Sequence, residues 1–255
     1  MKEKIITELN RIERENHVKI LYAAESGSRA WGISSKGSDY DVRFIYIHKP
    51  DWYLSIEQKR DVLEYPINNL LDISGWDLRK ALQLLMKSNP ALLEWLLSPI
   101  VYSEQHDIAE QLRNISNEYI SLKASIYHYL NMASRNYRHY LQGEPAKIKK
   151  YFYVLRPLLA CMWLEKQKTV PPVALDELLK LEGVSSEILN EIQYLLTRKK
   201  AGEDFGLGIS FQKLHQFIEE KLHYYQEYVK DLRDIRELKA EALNVLFRNT
   251  LRKVW

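Results

Sequence analysis

The sequence holds a single cysteine, Cys161, set in the apolar run from Leu158 to Trp163. An intramolecular disulfide is therefore excluded, and a buried, unreactive thiol is the expectation. No stretch approaches the ~20 consecutive apolar residues that a membrane-spanning helix needs. The opening residues Met1-Lys-Glu-Lys-Ile-Ile6 read as the start of an amphipathic helix rather than a signal peptide, so a cytoplasmic protein without a membrane partner is expected. Cys/His groups at zinc spacing are missing, as is a Walker-type Gly-rich loop ending in Lys-Ser/Thr. The seven histidines stand singly and read as helix-face residues rather than ligands. A net charge of +3 and a pI near 8.7 are compatible with a polyanionic partner, yet too weak for a protein that coats nucleic acid. No internal repeat is evident.

The most informative stretch runs from Glu25 to Arg43. A strand-like apolar run, Val18–Ala24, ends at a polar turn carrying Gly27-Ser28. Glycine there lets backbone N–H groups approach an anion, and the serine hydroxyl adds a donor. Ten residues, Arg29 to Ser38, are enough for a short helix and turn. Asp39-Tyr40-Asp41 then opens the β-branched and aromatic run Val42–Ile47, a second strand. Side chains alternate along a strand, so Asp39 and Asp41 share one face and Tyr40 takes the other. Two carboxylates on one face repel unless a cation lies between them, and a hard divalent ion with oxygen ligands is the natural guest.

These residues resemble the DNA-polymerase-β-like nucleotidyltransferases, whose signature is Gly-Gly or Gly-Ser, about ten residues, and then Asp-x-Asp or Asp-x-Glu. The form here, Glu25-Ser-Gly-Ser-Arg-Ala-Trp-Gly32 with Ser38-Asp-Tyr-Asp-Val-Arg43, resembles the RlaP/YcgL-type bacterial and phage branch. Gly75-Trp-Asp-Leu-Arg-Lys-Ala-Leu82, Lys87-Ser-Asn-Pro90 and Glu94–Tyr102 extend the resemblance, which is specific over residues 18 to 102. Ser26 departs from the broader superfamily, where an apolar residue precedes the glycine.

The resemblance implies an α+β fold: an N-terminal polymerase-β-like sheet with covering helices over residues 1–103, then an all-α substrate- and nucleotide-binding domain over 104–255. A composition change near residue 104, where strand signals give way to amphipathic helices, suggests the same boundary. Upstream, Ile5, Leu9 and Ile12 mark a helix over 3–16, while Val62–Tyr65 and Leu70–Ile73 read as further strands. A helix over 78–88 and another from Pro90 to Leu97 cover the sheet. Pro171-Pro172 breaks the helical half, a loop is expected over 202–208, and helices over 210–229 and 235–252 close the chain.

Asp72 is an odd charge between Leu71 and Ile73. It lies either at a sheet edge or toward the cation site. The superfamily takes a third carboxylate from a later strand just before a helix, a place that Asp72 fits. Asp77 competes, but an acidic residue there also reads as a helix N-cap. In the helical half, Lys149, Tyr153 and Arg156 fall at i, i+4 and i+7 on one face, a candidate lid over a nucleotide. The resemblance favours Lys149, Lys150 and Tyr153 as triphosphate and base contacts.

The implied activity is nucleotidyl transfer from a nucleoside triphosphate such as ATP to an acceptor hydroxyl (EC 2.7.7 type). The phosphates would lie against Gly27, Ser28 and Ser38, with Arg29 on the leaving pyrophosphate. Two Mg²⁺ would be held by Asp39, Asp41 and Asp72. For the acceptor, the resemblance suggests an RNA 3′ end in RNA repair. A protein hydroxyl, a small molecule, or a non-catalytic nucleotide- or RNA-binding role stay open, as does the oligomeric state.

Overall fold

Helix α1 (Lys2–Asn16) forms where the sequence places it, because Ile5, Leu9 and Ile12 recur three and four residues apart and bury one stripe. It ends at His17, whose left-handed backbone turns the chain into strand β1 (Lys19–Glu25). This is a computed structural model, and it describes residues 1–68, 70–142, 146–203, 211–234 and 240–255, without the side chains of 66–68. The loop expected over 202–208 lies largely outside these residues, as does the start of the last expected helix.

A short helix α2 (Gly27–Ala30) follows β1, and strand β2 (Tyr40–Ile47) returns antiparallel beside it. After α3 (Pro50–Tyr53) come β3 (Val62–Asn68) and β4 (Leu71–Asp77), an antiparallel pair. Then follow α4 (Leu78–Met86) and α5 (Pro90–Leu96), the latter capped by Asn89 with Pro90 at its first position. Strand β5 (Val101–Glu104) and helix α6 (Ile108–Ser116) complete this half.

The five strands form one mixed sheet in the order β3-β4-β2-β1-β5, in which β2 and β4 are parallel and the other pairs antiparallel. Near-continuous burial along β1 fits a strand covered on both faces. Ile5, Leu9 and Ile12 of α1 join Ile20, Val42, Phe44 and Ile73 in one core. Helix α4 packs against β2 and β4, while α5 and α6 pack against β1.

Two elements differ from expectation. Strand β4 continues through Gly75 and Trp76 to Asp77, so Asp72 lies near the strand's start instead of just before a helix. Strand β5 was not anticipated. It is four residues long with half-exposed or exposed side chains, too short and too mixed to stand out as a period-two pattern.

The remaining helices are α7 (Leu122–Tyr140), α8 (Ile148–Gln167), α9 (Leu175–Leu179), α10 (Ser186–Lys200), α11 (Gln212–Asp231) and α12 (Ala240–Val254). Ser121 and Ser185 cap α7 and α10 through backbone N–H groups of Ala124 and Ile188. Phe152, Leu155 and Leu159 of α8 are fully buried with Ile192, Leu214 and Ile218. Cys161 belongs to this core, and burial pushes its thiol pKa upward, as the lone apolar-flanked cysteine suggested. No helix among the described residues is long and apolar enough to cross a membrane.

By contacts the chain forms two compact units that interleave along the sequence. One comprises Met1–Ala30, Asp39–Tyr119 and Arg236–Trp255; the other comprises Trp31–Ser38 and Ile120–Ile235. Helix α12 thus belongs with the sheet, where Phe247 meets Tyr53 edge-on at 5.0 Å.

Candidate functional site

The two halves of the Glu25–Arg43 stretch meet in the sheet unit. Pairing of β1 with β2 sets Glu25 opposite Val42, so the turn after β1 sits beside the start of β2. Asp41 is fixed through its main chain, which accepts from Ser26 N–H at 2.8 Å and donates to Glu25 Oε1 at 2.8 Å. Gly27 lies next to it with φ +59°. A Cβ there would stand 2.1 Å from Asp41 Oδ2. Only glycine allows both that backbone angle and that approach.

Asp72 reaches the site from β4. The parallel pairing makes Asp41 and Asp72 direct neighbours across the two strands. Of the two openings that the sequence left for Asp72, the side facing Asp41 is the one observed. Asp77 does what its N-cap reading predicts: Oδ1 accepts from Arg79 N–H at 2.8 Å, and Oδ2 accepts from Tyr53 O–H at 2.6 Å. It is fully buried, and burial raises its pKa to about 6 against these two hydrogen bonds.

Asp39 precedes β2 and is exposed, whereas Asp41 is half-buried and Tyr40 packs toward the core. Burial first, then the negative charges of Asp72 and Asp39, raise the pKa of Asp41; Arg43 and Arg29 oppose them. Arg29 lies over the Tyr40 ring at 3.6 Å and donates to the Asp39 carbonyl at 3.0 Å. Ser28 is half-buried in α2.

Sequence reasoning missed two residues. Glu25, buried at the end of β1, accepts Asp41 N–H through one oxygen and the Tyr102 O–H through the other. The signal was a charge closing an apolar run. Arg43 is the one residue of Val42–Ile47 that is not buried, and its guanidinium lies between Asp41 Oδ1 at 3.3 Å and Asp72 Oδ2 at 2.8 Å. Period-two alternation from Asp41 to Arg43 was the signal that could have found it.

The neighbouring carboxylates of Asp41 and Asp72 are oxygen donors that suit a hard divalent cation, and such a charge would oppose both the burial and the nearby negative charges that raise the Asp41 pKa. As arranged, the positive charge between Asp41 and Asp72 is Arg43. Among the described residues, no three His, Cys, Asp or Glu side chains converge as a metal cage.

The other predicted contacts belong to the helical unit. Ser38 Oγ accepts from Ser35 N–H at 2.9 Å, and Lys199 Nζ reaches Ser35 Oγ at 3.2 Å. On α8, Lys149 is exposed and Lys150 sits over the Tyr140 ring at 3.5 Å and the Tyr153 ring at 5.1 Å. Tyr153 meets Trp31 edge-on at 6.0 Å. Arg156 is no lid residue: it is buried, its Nε donates to the Val173 carbonyl at 3.1 Å, and its guanidinium covers Trp31 at 4.8 Å.

Residues 1–249 match the family RlaP, described as the RNA repair pathway DNA polymerase beta family. The protein YcgL of Bacillus subtilis (strain 168) is 53% identical over 255 residues, spanning 100% of this chain and 98% of that protein. A crystallised nucleotidyltransferase-like protein from Exiguobacterium sibiricum 255-15 aligns over 96% of this chain and 78% of its own. Its TM-score is 0.32 and its identity to this chain is 15%.

Proposed function

Because the chain belongs to the RNA repair pathway DNA polymerase beta family, we propose that it is a nucleotidyltransferase that moves a nucleoside monophosphate from a nucleoside triphosphate to an RNA 3′ hydroxyl. The observation that most supports this reading is the pairing of Asp41 with Asp72 on parallel strands, with Gly27 directly against the Asp41 carboxylate.

Asp39, Asp41 and Asp72 are the residues that would hold magnesium, two ions on this reading. Bound there, magnesium would supply Lewis-acid neutralisation of the phosphates and acidify the attacking hydroxyl. Glu25 and Ser26 fix the main chain of Asp41, so its carboxylate is oriented before any ligand arrives. Gly27 and Ser28 offer N–H and hydroxyl donors to the polyphosphate. Arg29, steadied on Tyr40, places a cation near the carboxylates for the departing pyrophosphate. Asp72 is the group to take the proton of the acceptor. In the helical unit, Lys149, Lys150 and Tyr153 are proposed to meet the nucleotide.

The test is to incubate the purified protein and magnesium with each alpha-labelled nucleoside triphosphate, with and without total RNA. Label moving to RNA and lost in Asp41→Ala is the expected result. Label on protein instead would redirect the reading to adenylylation. No transfer from any triphosphate, together with no magnesium-dependent nucleotide binding, would refute the enzyme.

A further inference from the structure

We propose that Arg43 is the resident counter-ion of Asp41 and Asp72, and that a divalent cation gains the two oxygens it holds, Asp41 Oδ1 and Asp72 Oδ2, only in exchange for its guanidinium. This inference rests on the nucleotidyltransferase reading of the site. A strand run buried at Val42, Phe44, Ile45, Tyr46 and Ile47 interrupts itself with one arginine, at 43. Its side chain is 17% exposed, and desolvating a guanidinium to that extent is costly unless it is paired.

The pairing is specific. Nη2 contacts Asp72 Oδ2 at 2.8 Å and Asp41 Oδ1 at 3.3 Å, while Nη1 donates to the Val42 carbonyl at 3.0 Å and the Asp72 carbonyl at 3.3 Å. Both terminal nitrogens are thus engaged, and the planar fork is held across two neighbouring strands. A guanidinium and a dication cannot share the same two carboxylate oxygens, because their charges repel at contact distance.

Two consequences follow. Without nucleotide, the cation must compete with an arginine already in place, so its intrinsic affinity is low. With nucleotide, the polyphosphate offers the displaced guanidinium another set of oxygens, so cation and triphosphate bind with positive coupling. Arg43 therefore makes cation loading conditional on substrate.

Manganese is the probe, because its unbound form is counted directly by electron paramagnetic resonance. Without nucleotide, Arg43→Met is expected to bind Mn²⁺ about tenfold more tightly than wild type, the scale of removing one competing partly buried ion pair. Arg43→Lys, which keeps the charge, should stay close to wild type. Arg43→Gln gives the same direction as methionine and serves if the methionine variant melts early. Asp41→Asn should lose binding in every background. Equal or weaker Mn²⁺ binding in both neutral variants, with the Asp41→Asn loss intact, overturns the counter-ion role and leaves the cation site standing. Binding that ignores Asp41→Asn, even with a triphosphate present, removes the cation site itself and the inference with it.

Discussion

Gly27→Ala separates two costs that usually arrive together. The residue sits at φ +59°, and an added Cβ would lie 2.1 Å from Asp41 Oδ2 and 3.0 Å from its Cγ. Carbon–oxygen contacts close to about 3.3 Å at best, so the carboxylate must retreat by roughly 1 Å. The left-handed backbone adds about 1–2 kcal/mol for any residue with a Cβ. Gly32 supplies the control: it also has positive φ, at +75°, yet a Cβ there meets nothing within 4 Å. Gly32→Ala pays the conformational cost alone. Both variants should melt a few degrees lower, about 2–4 °C per kcal/mol at this chain length. Only Gly27→Ala should lose transfer activity, by about 10²-fold, because ~1 Å of misplacement at a reacting centre costs on that order. The assays are thermal melting and labelled-nucleotide transfer on the two proteins in parallel. Comparable activity in both variants would mean that the position of the Asp41 carboxylate does not matter to the reaction, and the reasoning would fail.

Three further outcomes are expected. Burial raises the Asp77 pKa from 3.8 to about 6, so its contribution to stability is fully present below about pH 4 and is lost as pH rises through about 6. Asp77→Asn should therefore gain on wild type between pH 4 and 7.5 by on the order of 2–3 kcal/mol. Denaturant melts at the two pH values decide it, and a pH-independent difference contradicts it. Tyr102→Phe removes a donor from the buried Glu25 carboxylate, and a loss of about 1–3 kcal/mol in urea unfolding is expected; no loss would mean that water replaces the phenol. Arg156→Met takes the donor from the Val173 carbonyl and should likewise cost about 1–3 kcal/mol. If it weakens nucleotide binding while leaving stability intact, the structural role assigned to Arg156 is wrong.

How far the sequence could be read depended on the range of the interaction. Helix α1, strands β1 and β2 and the Gly27 turn follow from local periodicity and turn chemistry, and they stand where those rules put them. The β2–β4 pairing is different. It joins residues about thirty apart through a parallel register, and no local pattern encodes which strand becomes the neighbour, so Asp72 could be suspected but not located. Asp77 resolved into a cap because capping is local. The face shared by Lys149, Tyr153 and Arg156 was legible as geometry, but α8 is buried around most of its circumference, so a helical wheel could not tell which cation goes inside. Arg43 was visible as a charge in an apolar run and became meaningful only once Asp72 lay beside it.

The chain leaves the sheet unit after Ala30 and re-enters it at Asp39. Its eight intervening residues are built into the helical unit, where the Trp31 carbonyl accepts Leu175 N–H at 3.0 Å and Trp31 itself lies under Arg156. The glycine turn and the aspartate pair are therefore two ends of one tether whose middle is moored elsewhere. The spacing between Gly27 and Asp39 is thus set by a segment whose own anchors, Leu175 and Arg156, lie more than a hundred residues further along the chain.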